Sequence, residues 1–264
     1  TQRNLEQLRR DGVHVIEPEQ GELASGLVGK GRMAEPSHIV KEVDALLGSA
    51  TLAGRRFVVT AGATIEAIDP VRYISNHSTG KMGYAVAGEL AARGAAVTLV
   101  SGRTNLATPE GVDRVDVVSA EDMYNATVKA FEGADGAVMC AAVADYTPVT
   151  VADEKIKKGD GDMSIELRRT KDIAAELGRE KGGRLLVGFA LETENGAANA
   201  REKLDRKNLD FIVLNSLRDA GAGFGCDTNV VSLIDRVSCV ELPLMSKREV
   251  AARIVDRMEK LLNS

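Results

Sequence analysis

The sequence predicts a doubly wound, mostly parallel α/β sheet with a small C-terminal β extension and an N-terminal arm. Three observations predict it. Apolar strand-like runs alternate with helical runs from residue 56 to residue 214. A long polar loop, 62–81, separates the first of these strands from the first helix. Beyond residue 215 the alternation stops and two strand-like runs follow one another directly. Strand–helix alternation places helices on both faces of a parallel sheet, whereas adjacent strands make a hairpin.

Taken in order, residues 1–48 form a separate piece. Within it 4–10 is expected to be a short helix, 13–16 a strand, 19–33 a Gly-rich stretch, and 37–47 a helix capped by Ser37. Residues 48–55 look like a linker, so the main domain is set at 49–264. Its strands are expected at 56–61, 96–101, 136–142, 185–190 and 210–214, with helices at 82–93, 120–132, 171–180 and 195–206. A strand pair at 229–234 and 236–241 and a closing helix at 246–262 complete the chain. This is a Rossmann-like plan, in which ligands bind at the carboxyl ends of the strands. The loops that follow the strands, above all 62–81 and 143–160, are therefore where chemistry is expected.

Composition narrows the functional classes. Apolar residues make up 44% of the 264, enough for a core of this size. The net charge of −5 without a basic block argues against a nucleic-acid binder. No apolar run approaches the length of a membrane span. The three cysteines, Cys140, Cys226 and Cys239, form no C-x-x-C pair and the three histidines are scattered, which disfavours a zinc site. Cys140 and Cys239 lie in apolar runs and are expected to be buried; Cys226 lies in a Gly-rich loop, where exposure is open but no special role is expected. This cysteine usage fits a reducing cytoplasm. The chain begins with Thr1 rather than Met, which leaves a fragment and a processed chain both open.

The loop after the first strand lacks the dinucleotide fingerprint, since only Gly62 matches G-x-G-x-x-G, which counts against an NAD(P) oxidoreductase. Thr79-Gly80-Lys81 resembles a P-loop only in part, because Ser75 and Met82 stand where Gly and Ser or Thr are required. Within this loop Asn76 has two readings: an amide closing its own turn, or one orienting a carbonyl and stabilising an oxyanion. Arg72 likewise either pairs with an anionic ligand or forms a salt bridge with Asp69 or Glu66. In the third loop, Ala141 and Ala142 allow close approach of a ligand to the backbone. Asp145 supplies an acceptor for a ribose, a base or a metal-bound water. The lysines of 154–158 are either phosphate partners or a solvated face. Phe189 is a packing ring or plain core. Lys203 and Lys207 share a helix face, and Phe224 sits in the loop 221–229.

These segments together resemble phosphopantothenoylcysteine synthetase, the phosphopantothenate–cysteine ligase of coenzyme A synthesis. The stretches that carry the resemblance are IDPVRYISNHSTGKMGYAVAGELAARGAAVTLVSG (68–102), CAAVADY (140–146), EKIKK (154–158), VGFALET (187–193), RKNLDFIV (206–213) and GFGCDTN (223–229). Small departures occur at Ala63, where relatives often carry Gly or Pro, and at Thr79, where many carry Ser. The stretch GELASGLVGKGRMAEP (21–36) resembles the last segment of a flavin-dependent decarboxylase commonly fused ahead of the synthetase. Ser25 stands where that family often has a catalytic Cys, and a hydroxyl is too weak an acid to replace a thiol as proton donor. FMN is accordingly expected only in a decarboxylase domain outside this chain.

The resemblance implies CTP and Mg²⁺ as co-substrates, 4′-phosphopantothenate and L-cysteine as reactants, and an acyl-cytidylate intermediate. It implies Lys155 for the first half-reaction and Asn76 for the second. Ala141, Ala142, Asp145, Lys155, Phe189, Lys203, Lys207 and Phe224 would line the nucleotide site. Arg72, Ser78, Thr79, Gly80 and Lys81 would hold the phosphopantothenate. No metal ligand is implied. The family resemblance also implies a homodimer and an associated decarboxylase domain.

Overall fold

The computed structural model describes residues 2–22, 28–47, 50–159, 161–192, 195–216, 223 and 225–264. It divides into two compact units, Thr1–Ser49 and Ala50–Ser264.

In the first unit, helix α1 (Gln2–Arg10) is followed by the strands β1 (Glu19–Glu22) and β2 (Val28–Arg32) and helix α2 (Pro36–Leu47). The antiparallel β1–β2 hairpin occupies the Gly-rich stretch 19–33, where no strands were assigned from the sequence. Residues 13–16, expected as a strand, form none, and among the described residues they have no ladder partner.

The second unit opens with β3 (Arg56–Ala61), β4 (Ile65–Ala67), β5 (Tyr73–Ser75), α3 (Lys81–Ala92), β6 (Ala96–Ser101), β7 (Val112–Asp116) and α4 (Ala120–Phe131). It continues through β8 (Gly136–Met139), β9 (Tyr146–Pro148), β10 (Leu167–Arg169), α5 (Ile173–Glu180), β11 (Leu185–Glu192) and α6 (Gly196–Arg206). It ends with β12 (Phe211–Ser216), β13 (Thr228–Ile234), β14 (Cys239–Ser246) and α7 (Lys247–Leu262). Eight strands form one sheet in the order β14-β13-β12-β11-β8-β3-β6-β7. The six from β12 to β7 are parallel, and β13 and β14 are antiparallel. The doubly wound, mostly parallel α/β fold with a C-terminal β extension is therefore observed.

Alternation along the strands fills two cores. Phe57, Val59, Val138, Leu185 and Val187 face α3 and α7, where Val86, Leu90, Val250 and Ile254 are fully buried. Val58, Ala137, Met139, Leu186 and Ala190 face α4, α5 and α6, against Met123, Phe131, Leu177 and Leu204. Both faces of each central strand are covered, which is why these segments appear as unbroken apolar runs. Ser119 and Ser246 close capping boxes with Asp122 and Glu249 at the starts of α4 and α7.

The edges depart from expectation. β7 (VDRVD) was not expected, because its charged edge residues mask the period of two. The turn before β14 lies at 235–238, where Asp235 accepts from the N–H groups of Val237 and Ser238, so β14 begins at Cys239 rather than at 236. Cys239 is exposed on that edge strand, contrary to the expectation of burial; Cys226 is exposed and Cys140 is half-buried.

The chain lays β3, β6 and β7 to one side and then returns through β8, β11 and β12 to the other. The switch point lies between β3 and β8, where the loops leaving both strands diverge and open a crevice. There the backbone is packed to contact. Ala63 bridges Arg103 on one side and Ala142 on the other. Gly62 has φ +78° and a Cβ on Gly102 would overlap the Ala63 carbonyl. Gly102→Ala is therefore expected to lower stability by about 1–3 kcal/mol, measured by urea unfolding. Gly159→Ala, with open space around its Cβ position, is expected to change it little.

Candidate active site

The crevice is a cavity of about 1040 Å³ at the carboxyl ends of β3, β8 and β11. Its floor is the turn 140–145, held by threonine hydroxyls. The buried Thr60 Oγ1 accepts from the N–H groups of Cys140 (3.1 Å) and Ala141 (3.2 Å). Thr64 Oγ1 accepts from the Ala144 N–H at 3.0 Å, and the Ala142 N–H donates to Gly62 O at 2.8 Å. From the far side, Thr170 Oγ1 donates to Ala144 O at 2.6 Å and the Thr170 N–H to Asp145 O at 3.0 Å. Neither Thr60, Thr64 nor Thr170 was singled out in the sequence. Thr60 carried a usable signal, a polar residue at the end of an otherwise apolar strand.

Asn76 lines the cavity and ties its own loop to this floor. Its Nδ2 donates to Ala142 O (3.1 Å) and Val143 O (3.2 Å). Both amide hydrogens are thereby used, and the side-chain oxygen is the group left over. Beside it the turn Ser78–Lys81 runs into α3. Gly80, at φ +83°, is the N-cap and no side chain caps the helix, so α3 presents its first N–H groups at the cavity wall.

Ser78, Thr79, Gly80, Lys81, Ala141, Ala142, Asp145, Phe189, Lys203 and Lys207 all line this one cavity with Asn76. The lysines rest on carboxylates. Lys81 Nζ meets Asp227 Oδ1 at 2.7 Å, Lys207 meets Asp172 at 2.9 Å, and Lys203 meets Glu192 at 3.5 Å. Lys171, Asp172, Asn215, Asn229 and Lys247 also line it and were missed. Cys140 lines it as a neutral thiol, because burial pushes its pKa up to about 12.

Two expected site residues lie elsewhere. Arg72 is not on the cavity wall: its Nε donates to the buried Asp69 Oδ2 at 2.9 Å and its Nη2 to Ile156 O at 2.7 Å. The Ile156 N–H donates to the same Asp69 oxygen at 3.2 Å. The Asp69–Arg72 pair thus clamps the segment that carries Lys155. That residue is exposed and does not line the cavity. Hydrogen bonds from Arg72, then from the backbone at 71, 72 and 156, hold the Asp69 carboxyl well below the usual carboxylate range. The clamp is therefore complete above about pH 4, the ordinary Asp value, and weakens as pH falls from there toward the depressed value. Phe224 lies outside the described residues, as does Ser25.

Among the described residues no three His, Cys, Asp or Glu side chains gather as a metal cluster. Asp145 is an exposed carboxylate at the cavity, a donor suited to a hard cation that brings its other oxygen ligands with a phosphate. Among the described residues no helix is long and apolar enough to cross a membrane.

Residues 52–262 match the family described as DNA/pantothenate metabolism flavoprotein C-terminal domain. The chain belongs to that family. It is 48% identical over 264 residues to the coenzyme A biosynthesis bifunctional protein CoaBC of Bacillus subtilis (strain 168), covering 98% of this chain and 65% of the relative. A protein named cysteine/cysteine sulfinic acid decarboxylase, from an unknown prokaryotic organism, is 52% identical over 271 residues, covering 100% of this chain and 76% of the relative. The crystal structure of the C-terminal domain of a CoaBC superposes with a TM-score of 0.70 at 42% identity, covering 81% of this chain and 99% of that domain. The chain thus spans about two thirds of the bifunctional relative's length. The resemblance drawn from the sequence motifs is borne out by these relatives.

The clamp leads to an expected outcome. Asp69→Asn and Arg72→Ala should each speed tryptic cleavage after Lys155, Lys157 and Lys158 at neutral pH, several-fold over the unaltered chain. Unchanged cleavage would remove the clamp as the anchor of that segment.

Proposed function

We propose that this domain ligates 4′-phosphopantothenate to L-cysteine at the expense of CTP, through an acyl-cytidylate, giving 4′-phosphopantothenoylcysteine, CMP and pyrophosphate. The observation that carries the reading is a family membership joined to a geometry. The chain covers 99% of a CoaBC C-terminal domain at 42% identity, and Asn76 lines one cavity with Ala141, Ala142, Asp145, Phe189, Lys203 and Lys207, six of the eight residues implied for the nucleotide.

A carboxylate resists attack by an amine because oxide is a poor leaving group. In the proposed first step its oxygen attacks the α-phosphorus of CTP and pyrophosphate leaves. In the second, the cysteine amine attacks the acyl carbon, the bond to the phosphate oxygen breaks, and CMP leaves with that oxygen. The floor at Ala141 and Ala142, with no bulk beyond a methyl, brings backbone groups to the nucleotide. Asp145 bonds its ribose or the Mg²⁺ carried with its phosphates. Lys203 and Lys207 exchange Glu192 and Asp172 for phosphate oxygens. Phe189 packs the wall. Ser78, Thr79, Gly80 and Lys81, with the open α3 N-terminus, hold the phosphorylated acid. Lys155 swings in from its exposed segment toward the triphosphate, and Arg72 acts by anchoring that segment rather than by touching substrate. The free Asn76 oxygen accepts from the incoming amine, while its tethered NH₂ keeps the floor in place.

The first unit is proposed to be the tail of a decarboxylase-like domain, with any FMN held outside this chain, and the open edge of β14 to be where a second copy pairs. Decarboxylation of cysteine or its sulfinate is the competing reading, carried by the name of the 52%-identical relative. Carbon dioxide release from those compounds without nucleotide would favour it.

The test is pyrophosphate release with CTP, Mg²⁺ and phosphopantothenate, cysteine first omitted and then added. Release dependent on phosphopantothenate, then CMP and amide on adding cysteine, is expected; no release with CTP or ATP contradicts the reading. Asn76→Asp is expected to keep pyrophosphate release within a few-fold while slowing amide formation by about 100-fold, the scale of losing one transition-state hydrogen bond. Lys155→Gln is expected to slow the first step instead. Equal loss of both steps in either variant would sink the assignment.

A further inference from the structure

Lys247, the first residue of α7, is a buried ammonium that the reaction scheme leaves unused. It is 7% exposed and lines the main cavity. Its Nζ donates to Gly223 O at 3.0 Å and to Cys226 O. Two of its three hydrogens are thus spent on carbonyls, and among the described residues no carboxylate oxygen lies within ion-pair distance of it.

Lys81 approaches the same loop, donating to Gly225 O at 3.0 Å and to Asp227 Oδ1. Asp227 pairs with Lys81, acts on Lys247 only through its charge, and has a side chain that is 88% exposed. Two ammonium groups therefore stand at one loop with a single solvent-facing carboxylate, which is paired to Lys81 alone. Both also border a second, smaller cavity of about 390 Å³ beside Tyr84 and Leu106, so they stand where the two spaces meet. Burial, and then the Lys81 charge, push the Lys247 pKa down. A buried charge without its counter-charge is costly, and an arriving anion removes that cost. Asn215 and Asn229 line the main cavity too, joined by a 3.0 Å bond from Asn229 Nδ2 to Asn215 Oδ1. That bond leaves the Asn215 NH₂ as a further donor.

We propose that Lys247 and Lys81 form an oxyanion-binding subsite at the end of the cavity beside the Gly223 and Cys226 carbonyls. In the ligase reading, on which the identity of the ligand rests, the oxyanion is the phosphate monoester of the acid substrate or the carboxylate of the amino acid. Lys247 supplies the remaining hydrogen of its ammonium, and Lys81 turns from Asp227 to the ligand. Breaking that exposed pair costs little.

The test compares Lys247→Gln and Lys247→Arg with the unaltered chain. Lys247→Gln is expected to raise the KM of one of the two substrates by about tenfold or more, the worth of one charge-assisted hydrogen bond. The KM of the nucleotide should stay within twofold, and Lys247→Arg should recover part of the loss. Two analogues separate the sources. If the phosphate is the ligand, pantothenate is handled alike by the unaltered chain and Lys247→Gln; if the carboxylate is, cysteamine is.

In the unaltered chain, inorganic phosphate is expected to compete with the affected substrate, a readout that stands even where the Gln variant fails to fold. Competition with neither substrate overturns the proposal, as does an equal change in all three KM values, the mark of a lysine that only holds its loop. An unaltered chain without turnover would fail the ligase reading alone. Phosphate binding lost in Lys247→Gln and kept in Lys247→Arg would still support the subsite, and binding equal in all three would overturn it.

Discussion

The site depends on the pinch at Ala63, where the strand leaving β3 is bridged to Arg103 on one side and to Ala142 on the other. Gly62 and Gly102 permit that approach, one by its left-handed φ and the other by having no Cβ to strike the Ala63 carbonyl. The turn 140–145, Asn76 and the start of α3 are all tied to this crossing. The 140–145 turn hangs from Thr60 and Thr64, on either side of Ala63. Asn76 reaches back over the same turn. Gly80, with its backbone against Gly62, sets the start of α3. The floor is held by backbone and hydroxyl contacts, the kind of fixed scaffold that the proposed positioning of two reactants requires.

The charges around that floor are arranged differently. Lys81, Lys203 and Lys207 each rest on a carboxylate at or near solvent. Pairs of this kind contribute at most about 1 kcal/mol each, so exchange for a phosphate oxygen is inexpensive. The Asp69–Arg72 pair is of another kind. Its carboxylate is buried and also takes three backbone N–H groups, and it fixes a chain segment rather than awaiting a ligand. Burial of the carboxylate thus separates the Arg72 pair, which fixes a segment, from the three lysine pairs, whose exposure suits the proposed exchange.

Much of this was legible in the sequence. The central strands were visible because both faces are covered and the runs are apolar throughout. The loops after β3 and β8 stood out by length and residue type. Lys203 and Lys207 declared a common face by spacing. What was hidden depends on contacts distant in the chain. Arg72 beside Asp69 was open to two readings until its bond to Ile156, 84 residues on, showed what the pair holds. Lys247 has the pattern of a surface lysine at a helix start, and only the carbonyls of Gly223 and Cys226 reveal it as buried. β7 was masked by its charges, and the β14 register was set by the Asp235 turn rather than by hydrophobic period.

The measurement that tests the central claim most directly follows an oxygen atom. Phosphopantothenate labelled with ¹⁸O in its carboxylate is turned over with CTP and cysteine, and the products are weighed by mass spectrometry. Activation as an acyl-cytidylate in this cavity predicts one ¹⁸O transferred to CMP for each amide formed, with none in pyrophosphate. Label in inorganic phosphate, or amide formed with no label in CMP, would contradict the account.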